Sequence, residues 1–429
     1  MPAPAATSPA MGHRGRRVAI TGYGVVAPCG LGKQAFWAGL NGPGITTGRT
    51  VEMVDWDPSP YFANPKESRR ADKVEQFALA AAAECFEHAG RPTAAADRFG
   101  TIFATGVGGL RSTEEQIEVL IEKGERRVSP FLVPMMMPNA AGAAISMRYG
   151  LQGPNETITT ACAASTHAIG YAARLIAWGM IDACVTGGSE SAACPIGVAS
   201  FGNMTALTSS GNSRPFSPDR DGFVLGEGAA VLMLEEWEAA VARGANHFAD
   251  DVGAAGNSGF PLFEHQHGGA NIVGEVVGAA SNADAHHITA PAPGGTGAIK
   301  CMQLALHDAG LVPADIRQIN AHGTSTPLND AAEAAAVTAV FGAGAVPVTS
   351  TKGVTGHALG AAGALEAAAV LLSMEHSLIP PTAGTTQLDD GFEIDLVMGA
   401  ARPWTPGPTI SNSLGFGGHN GAIVLAPAG

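Results

Sequence analysis

Short runs of β-branched residues alternate along this chain with longer Ala- and Leu-rich stretches whose apolar positions recur at helical spacing. That is the pattern of a layered α/β protein. In the first half the runs predict strands over 18–22, 101–105, 183–188 and 229–235, with helices over 77–89 and 165–178. In the second half they predict strands over 273–279, 318–321, 346–350, 410–413 and 422–426, with helices over 298–309, 330–341 and 363–376. The two halves run through similar element orders. The most apolar uncharged stretch, 128–147, contains Pro130, Pro134, Pro138 and Asn139. A membrane-spanning helix would not concentrate such residues, so the stretch reads as buried chain.

One segment interrupts the alternation. Gly244-Ala-Asn246 recurs as Gly269-Ala-Asn271, and Val252-Gly-Ala-Ala recurs as Val277-Gly-Ala-Ala. Residues 247–268 between them read as an inserted loop on the surface, where extra length costs little. His265 and His267 in that loop lack a clear third ligand, so no metal site is expected there. Residues 1–16 are Pro/Ala/Gly-rich and then basic, without the apolar segment of a secretory signal, and read as a flexible arm. The division expected is therefore an arm, a first half over 17–246, the insertion, and a second half over 269–429.

Composition narrows the function classes. Of 429 residues, 46% are hydrophobic, 14% are charged and 57 are glycine, which describes a densely packed protein rich in tight turns. A net charge of −14, from 24 basic and 38 acidic residues, argues against nucleic-acid binding, which needs clustered Lys and Arg. The six cysteines show no CxxC spacing, so neither a zinc site nor a disulfide framework is indicated, and a reducing, cytoplasmic setting fits.

Four short segments carry candidate chemistry. In Thr160-Ala-Cys162-Ala-Ala-Ser a cysteine stands among small residues immediately before a helical pattern. A helix start favours thiolate and is expected to lower the thiol pKa, and small neighbours leave room for a substrate carbonyl. Cys85, Cys184 and Cys301 suit plain burial instead. Asn320-Ala-His322-Gly-Thr-Ser-Thr-Pro puts a histidine directly after a predicted strand, and Lys352-Gly-Val-Thr-Gly-His357 repeats the arrangement before a Gly/Ala-rich helix. Strand ends are where α/β proteins keep reactive groups, so the three residues invite one shared site. Gly415-Phe416-Gly-Gly-His-Asn gives one aromatic the backbone freedom of a hinge, and lacks the lysine and following helix of a phosphate loop.

Together these four motifs, in this order, closely resemble the β-ketoacyl-[acyl-carrier-protein] synthases, in particular the elongating synthase II type. The resemblance spans 17–429 apart from 247–268. It implies a thiolase-like fold in which two similar α/β halves form a five-layered α-β-α-β-α core, usually as a dimer. It implies that Cys162 takes the growing acyl chain as a thioester, and that His322 and His357 assist decarboxylation of the malonyl unit. The backbone N–H groups of Cys162 and Phe416 would hold the oxyanion, with Phe416 as a gate. Lys352 would support the site electrostatically through Glu366 or Glu333. Val107, Phe201 and Leu414 would bound the acyl pocket; Leu414 stands where close relatives often have Phe. No covalently bound cofactor or metal is implied, since substrates arrive on the phosphopantetheine arm of an acidic acyl carrier protein. Lys66, Arg69, Arg70 and Lys73, with Lys123, Arg126 and Arg127, are the basic residues that would dock that carrier. Two alternatives stay open. One is a type II polyketide ketosynthase paired with a chain-length factor in a heterodimer. The other is the silent chain-length partner itself, which usually lacks the cysteine present here as Cys162.

Overall fold

The computed structural model describes residues 15–247 and 271–428, so nearly all of the expected arm and insertion lie outside the described residues. The longer strands of the first half are β1 (Val18–Ala27), β2 (Phe99–Ala104), β3 (Asn155–Ile158), β4 (Ala183–Glu190) and β5 (Gly228–Glu236). The second half supplies β6 (Gly274–Ala283), β7 (Gln318–Asn320), β8 (Pro347–Thr349), β9 (Asp395–Leu396), β10 (Thr409–Gly415) and β11 (His419–Ala426). The spatial order is β3-β2-β4-β5-β1 in one half and β9-β8-β7-β10-β11-β6 in the other.

The halves share more than order. In each, the second strand in sequence pairs in parallel with the third and with the next long strand, and the last strand closes the set by two antiparallel pairings. The two sheets touch edge to edge where β1 pairs antiparallel with β6 at Ala19↔Glu275 and Ile20↔Gly274. Ladder hydrogen bonds therefore run without a break through a twelve-stranded sheet, which includes the short Gly30–Leu31 strand paired to β1.

Helices complete the layers. On the outer face of the first half lie α1 (Lys73–Ala89) and α2 (Ala140–Tyr149), and on the outer face of the second lie α4 (Thr296–Ala309) and α5 (Pro327–Phe341). Between the sheets, α3 (Ala164–Ala177) packs against α6 (Ala362–His376). This is the five-layered, thiolase-like arrangement. Helix α6 is buried from Ala362 through Met374. Its sequence has almost no polar face, the pattern of a helix enclosed on all sides. Glu366 is the exception, and its partner is found at the site below.

Two expectations change. Helix α1 begins at Lys73 rather than at 77, because Asp72 and Glu75 form a capping box that makes the charged first turn helical. The stretch 128–147 is not buried throughout: only Ala140, Ala141, Gly142 and Ile145 within α2 are, whereas Phe131, Val133, Met136 and Met137 are exposed. Among the described residues no helix is long and apolar enough to cross a membrane.

The central layer depends on a close helix contact. A Cβ at Gly363 would lie 2.1 Å from Thr166 Oγ1, itself hydrogen-bonded to Ser413 Oγ at 2.7 Å. Helix propensity alone would reward Gly363→Ala by about 1 kcal/mol. Overpacking at this crossing reverses the sign, and we expect a net loss of about 2 kcal/mol, read as a lowered midpoint in chemical denaturation.

Candidate active site

The site forms where strand ends of both halves meet. After β3 the chain makes a one-turn 3₁₀ segment, Ala161–Ala163, that leads directly into α3. Ala161 has φ 51°, a left-handed conformation unusual for alanine, and it turns Cys162 into the space between the halves. The second half copies the device before α6 in Leu359–Ala361, where Leu359 has φ 41°. Gly360 holds the place that Cys162 holds in the first half. A Cβ there would lie 2.1 Å from Gly106 N, so only glycine fits against the end of β2.

His322 follows β7, and its position is set by α5. The backbone N–H groups of His322 and Gly323 each donate to the Glu333 carboxylate at 2.7 Å. Lys352 and His357 follow β8. The main chain of His357 is gripped by the first half: its N–H donates to Val224 O at 2.7 Å and its carbonyl accepts from Gly226 N at 3.0 Å. A segment of the second half is thereby stitched to the half that carries the thiol.

These contacts bring Cys162 Sγ and His357 Nε2 to 3.0 Å. The sulfur and one ring nitrogen from each histidine lie within 4.8 Å of one another. The two imidazoles meet edge to face with centroids 5.3 Å apart, and Phe223 packs edge-on against His357 at 5.1 Å. All three reactive side chains are buried and open into a cavity of about 540 Å³ also lined by Phe201, Leu414 and Phe416.

Behind the histidines, Lys352 is buried with its three donors used. It pairs with Glu366 of α6, donates to His322 O at 2.6 Å, and lies 3.3 Å from His322 Nδ1. An ammonium can only donate, so Nδ1 accepts and the proton of neutral His322 sits on Nε2. Burial holds the His322 imidazole well below its ordinary range, and the charges of Lys352 and then His357 push the same way. Burial and then Lys352 act likewise on His357. Both rings are therefore neutral donors at pH 7. Glu366 and Glu333 are pushed up to about 7 by burial, against the pull of Lys352 on the first and of two backbone N–H groups on the second.

The thiol departs from expectation. Burial pushes Cys162 up to about 11, outweighing the charge of Lys352 and the backbone N–H groups of Phe416 and of Cys162 itself, which face the sulfur. Desolvation of a thiolate in this enclosed place exceeds what the helix start returns. At rest Cys162 is a thiol whose proton can pass to His357 Nε2.

Other expected residues fall as follows. Phe201 and Leu414 line the cavity, and Phe201 packs 6.4 Å from Phe416. Val107 does not reach it; the residue lies on the surface after β2, 44% exposed. Lys66, Arg69, Arg70, Lys123, Arg126 and Arg127 are exposed. Arg70 sits over Phe131 at 4.5 Å, which ties the 66–70 segment to the chain following Arg127. Lys73 leaves this group: its ammonium is 2.5 Å from the fully buried Glu227, which needs a cation and takes it.

Sequence reasoning missed Glu190 at the end of β4. It accepts from Gly106 N at 2.6 Å and Gly360 N at 3.1 Å, spanning both halves, and burial pushes it up to about 7. An acid closing an otherwise apolar strand was the available signal. The cysteine and two histidines could in principle bind a transition metal, but the Lys352 ammonium beside His322 opposes a second cation.

A family model described as "Beta-ketoacyl synthase, N-terminal domain" matches residues 43–240, and one described as "Beta-ketoacyl synthase, C-terminal domain" matches 273–386. The chain belongs to the β-ketoacyl synthase family. The synthase is an acyltransferase-class enzyme, and its thiol and paired imidazoles lie within those two matches. It is 39% identical, over 96% of its own length and 97% of the relative's, to "3-oxoacyl-[acyl-carrier-protein] synthase 2" of Synechocystis sp.. Among solved structures, "The ishigamide ketosynthase/chain length factor" superposes with a TM-score of 0.84 at 30% identity, covering 97% of the synthase and 100% of that chain. A type II polyketide acyl-carrier protein in complex with its ketosynthase bound to the hexaketide gives 0.82 at 30% identity, covering 96% and 99%.

The depressed imidazoles yield a pH prediction. A group whose pKa is lowered in the fold stays neutral as pH falls through its ordinary value of about 6.5. The ring nitrogen NMR signals of His322 and His357 should therefore keep their neutral-imidazole positions from about pH 8 to about pH 6; protonation of either ring centred near about 6.5 would contradict neutral donors.

Proposed function

We propose that this synthase lengthens an acyl chain by decarboxylative Claisen condensation with malonyl-acyl carrier protein, in fatty acid biosynthesis. The observation that carries the reading is a thiol 3.0 Å from one neutral imidazole and close beside a second, inside one apolar cavity. Residues 17–246 supply the nucleophile in this reading, and residues 269–429 supply both imidazoles.

The chemistry follows from the geometry. The Cys162 proton moves to His357 as sulfur attacks the acyl thioester, and the oxygen that gains charge is held by the Cys162 and Phe416 N–H groups. The carrier's thiol then leaves with a proton. With sulfur acylated, the Nε2–H of His322 donates to the malonyl thioester oxygen, and His357 joins it by shifting to its Nε2–H tautomer, since no described group bonds its Nδ1. CO₂ departs, the enolate carbon attacks the acyl carbonyl, and Cys162 is released as the new carbon–carbon bond forms. Lys352 fixes the tautomer of His322, while Glu366 and Glu333 hold Lys352 and the His322 main chain. No covalent cofactor takes part, because both substrates come on phosphopantetheine arms. Lys66, Arg69, Arg70, Lys123, Arg126 and Arg127 present positive charge to the acidic carrier against a chain of net charge −14.

A partner chain is part of the reading. Strand β3 is a sheet edge, and Ile117, Leu120, Ile121 and Val133 are exposed apolar residues; such features ask for a cover. The cover is a second copy of the chain or, by likeness to the solved ketosynthase/chain length factor at 30% identity, a chain-length factor. Co-purification with or without a second, homologous chain separates fatty acid from polyketide use.

Intact-protein mass spectrometry after incubation with acyl-carrier proteins should show one acyl mass on Cys162 and none on Cys162→Ala. His322→Ala should still load acyl groups while losing most decarboxylation, roughly a hundredfold, whereas His357→Ala should be slowed in both, since His357 also takes the Cys162 proton. The Arg126→Glu/Arg127→Glu pair should raise the KM for carrier-bound acyl groups at least roughly threefold at low salt, with free pantetheine thioesters unaffected.

A further inference from the structure

His167 belongs to the same segment as Cys162 but has no part in the steps above. It lies on the first turn and a half of α3, half-buried, and its ring makes two hydrogen bonds that leave the helix. Nδ1 is 2.8 Å from Thr160 Oγ1, and Nε2 is 3.0 Å from the backbone carbonyl of Asn420. A carbonyl only accepts, so the proton of the neutral ring is on Nε2, and Nδ1 accepts from the Thr160 hydroxyl. Burial, which lowers the ring's pKa, keeps it in this neutral form.

The two partners stand on the two loops that matter for charge stabilisation. Thr160 is two residues before Cys162, on the left-handed turn at Ala161. Asn420 is four residues after Phe416, at the far side of Gly417 and Gly418, which have φ 85° and 74°. These loops carry the two N–H groups that face the sulfur. They are also in contact: a Cβ at Gly415 would be 3.2 Å from Cys162 N and 2.9 Å from Thr160 O. The His167 ring is packed flush on β11, where a Cβ at Gly421 would lie 2.9 Å from it. Asn420 is held from its other side, its Nδ2 donating to Asp284 at 2.7 Å and to Asn282 at 2.9 Å.

We propose that His167 is a positioning residue that fixes the separation of the Cys162 and Phe416 N–H donors by bridging Thr160 to Asn420. The assignment rests on the acyl-transfer reading of Cys162 given above. In that reaction sulfur forms a bond to the acyl carbon while the carbonyl π pair moves onto oxygen. The carrier's C–S bond then breaks, and its sulfur takes the proton given up by Cys162. Charge on that oxygen needs both N–H groups at once, and a small misplacement of one weakens both contacts. Decarboxylation places its charge on a different oxygen, before His322 and His357, and does not use this pair.

That difference supplies the test. His167→Leu removes both the acceptor for Thr160 and the donor for Asn420; Thr160→Val removes the hydroxyl from an otherwise similar β-branched side chain. Acyl loading of Cys162 from hexanoyl-pantetheine is followed by rapid-quench mass spectrometry, and decarboxylation of malonyl-pantetheine by CO₂ release. We expect loading to slow about tenfold or more in both variants, decarboxylation to change by less than about twofold, and the double variant to be no slower than the His167 single, since both act through one link. Parallel loss of the two reactions, or loading within about twofold of the parent in Thr160→Val, would overturn the assignment. If the parent itself formed no adduct on Cys162, the acyl-transfer reading would fall, and this assignment with it.

Discussion

A lysine enclosed by protein has to find its counter-charge and all its acceptors within a few ångströms, and the site is built around that demand. Lys352 meets it with Glu366 from the central helix α6 and with the carbonyl and Nδ1 of His322. Removing either member of such a pair leaves the other buried and uncompensated, at a cost of about 3–5 kcal/mol. The pair therefore locks the turn after β8 to the middle layer of the fold, and the lock decides which nitrogen of His322 carries its proton. The one acid in the buried span of α6, Glu366, is explained by this contact rather than by anything local to the helix.

Burial has opposite consequences for the groups that share the cavity. It raises the carboxyls of Glu190, Glu333 and Glu366 to about 7 and the thiol of Cys162 to about 11, while it depresses both imidazoles. In each case the uncharged form is favoured, because a solvent-poor interior penalises charge of either sign. The result is a resting site whose thiol and two imidazoles are uncharged, beside the Lys352–Glu366 pair. Charge created during reaction is met by fixed N–H donors with little competing water, where such donors are most effective.

The reactive groups also show how a duplicated fold becomes asymmetric. Both halves have the same strand order and the same left-handed step into a central helix, yet one step presents Cys162 and the other Gly360. The glycine is required because the end of β2 packs on it, and its N–H is taken by Glu190. The corresponding N–H of Cys162 instead faces the sulfur. In the second half the longer connection between β8 and α6 brings in Lys352 and His357. One half thus supplies the nucleophile and the other the imidazoles, and neither is a complete site.

The sequence by itself determined the α/β alternation, the similar order of the two halves, and four motifs whose residue types announce a thiol, two imidazoles and a lysine. These are local properties: periodicity, β-branching and glycine-bounded turns are written in neighbouring residues. The tertiary structure alone decided what depends on enclosure and on contacts between distant segments. Cys162 and His357 are 195 residues apart in the chain and meet at 3.0 Å. The direction of the Cys162 shift, the capture of Lys73 by Glu227, the exposure of Val107, and the roles of Glu190 and His167 as bridges could not be read in advance. Desolvation and long-range hydrogen bonds belong to a site's surroundings, and no stretch of sequence around one residue specifies which remote groups will form them.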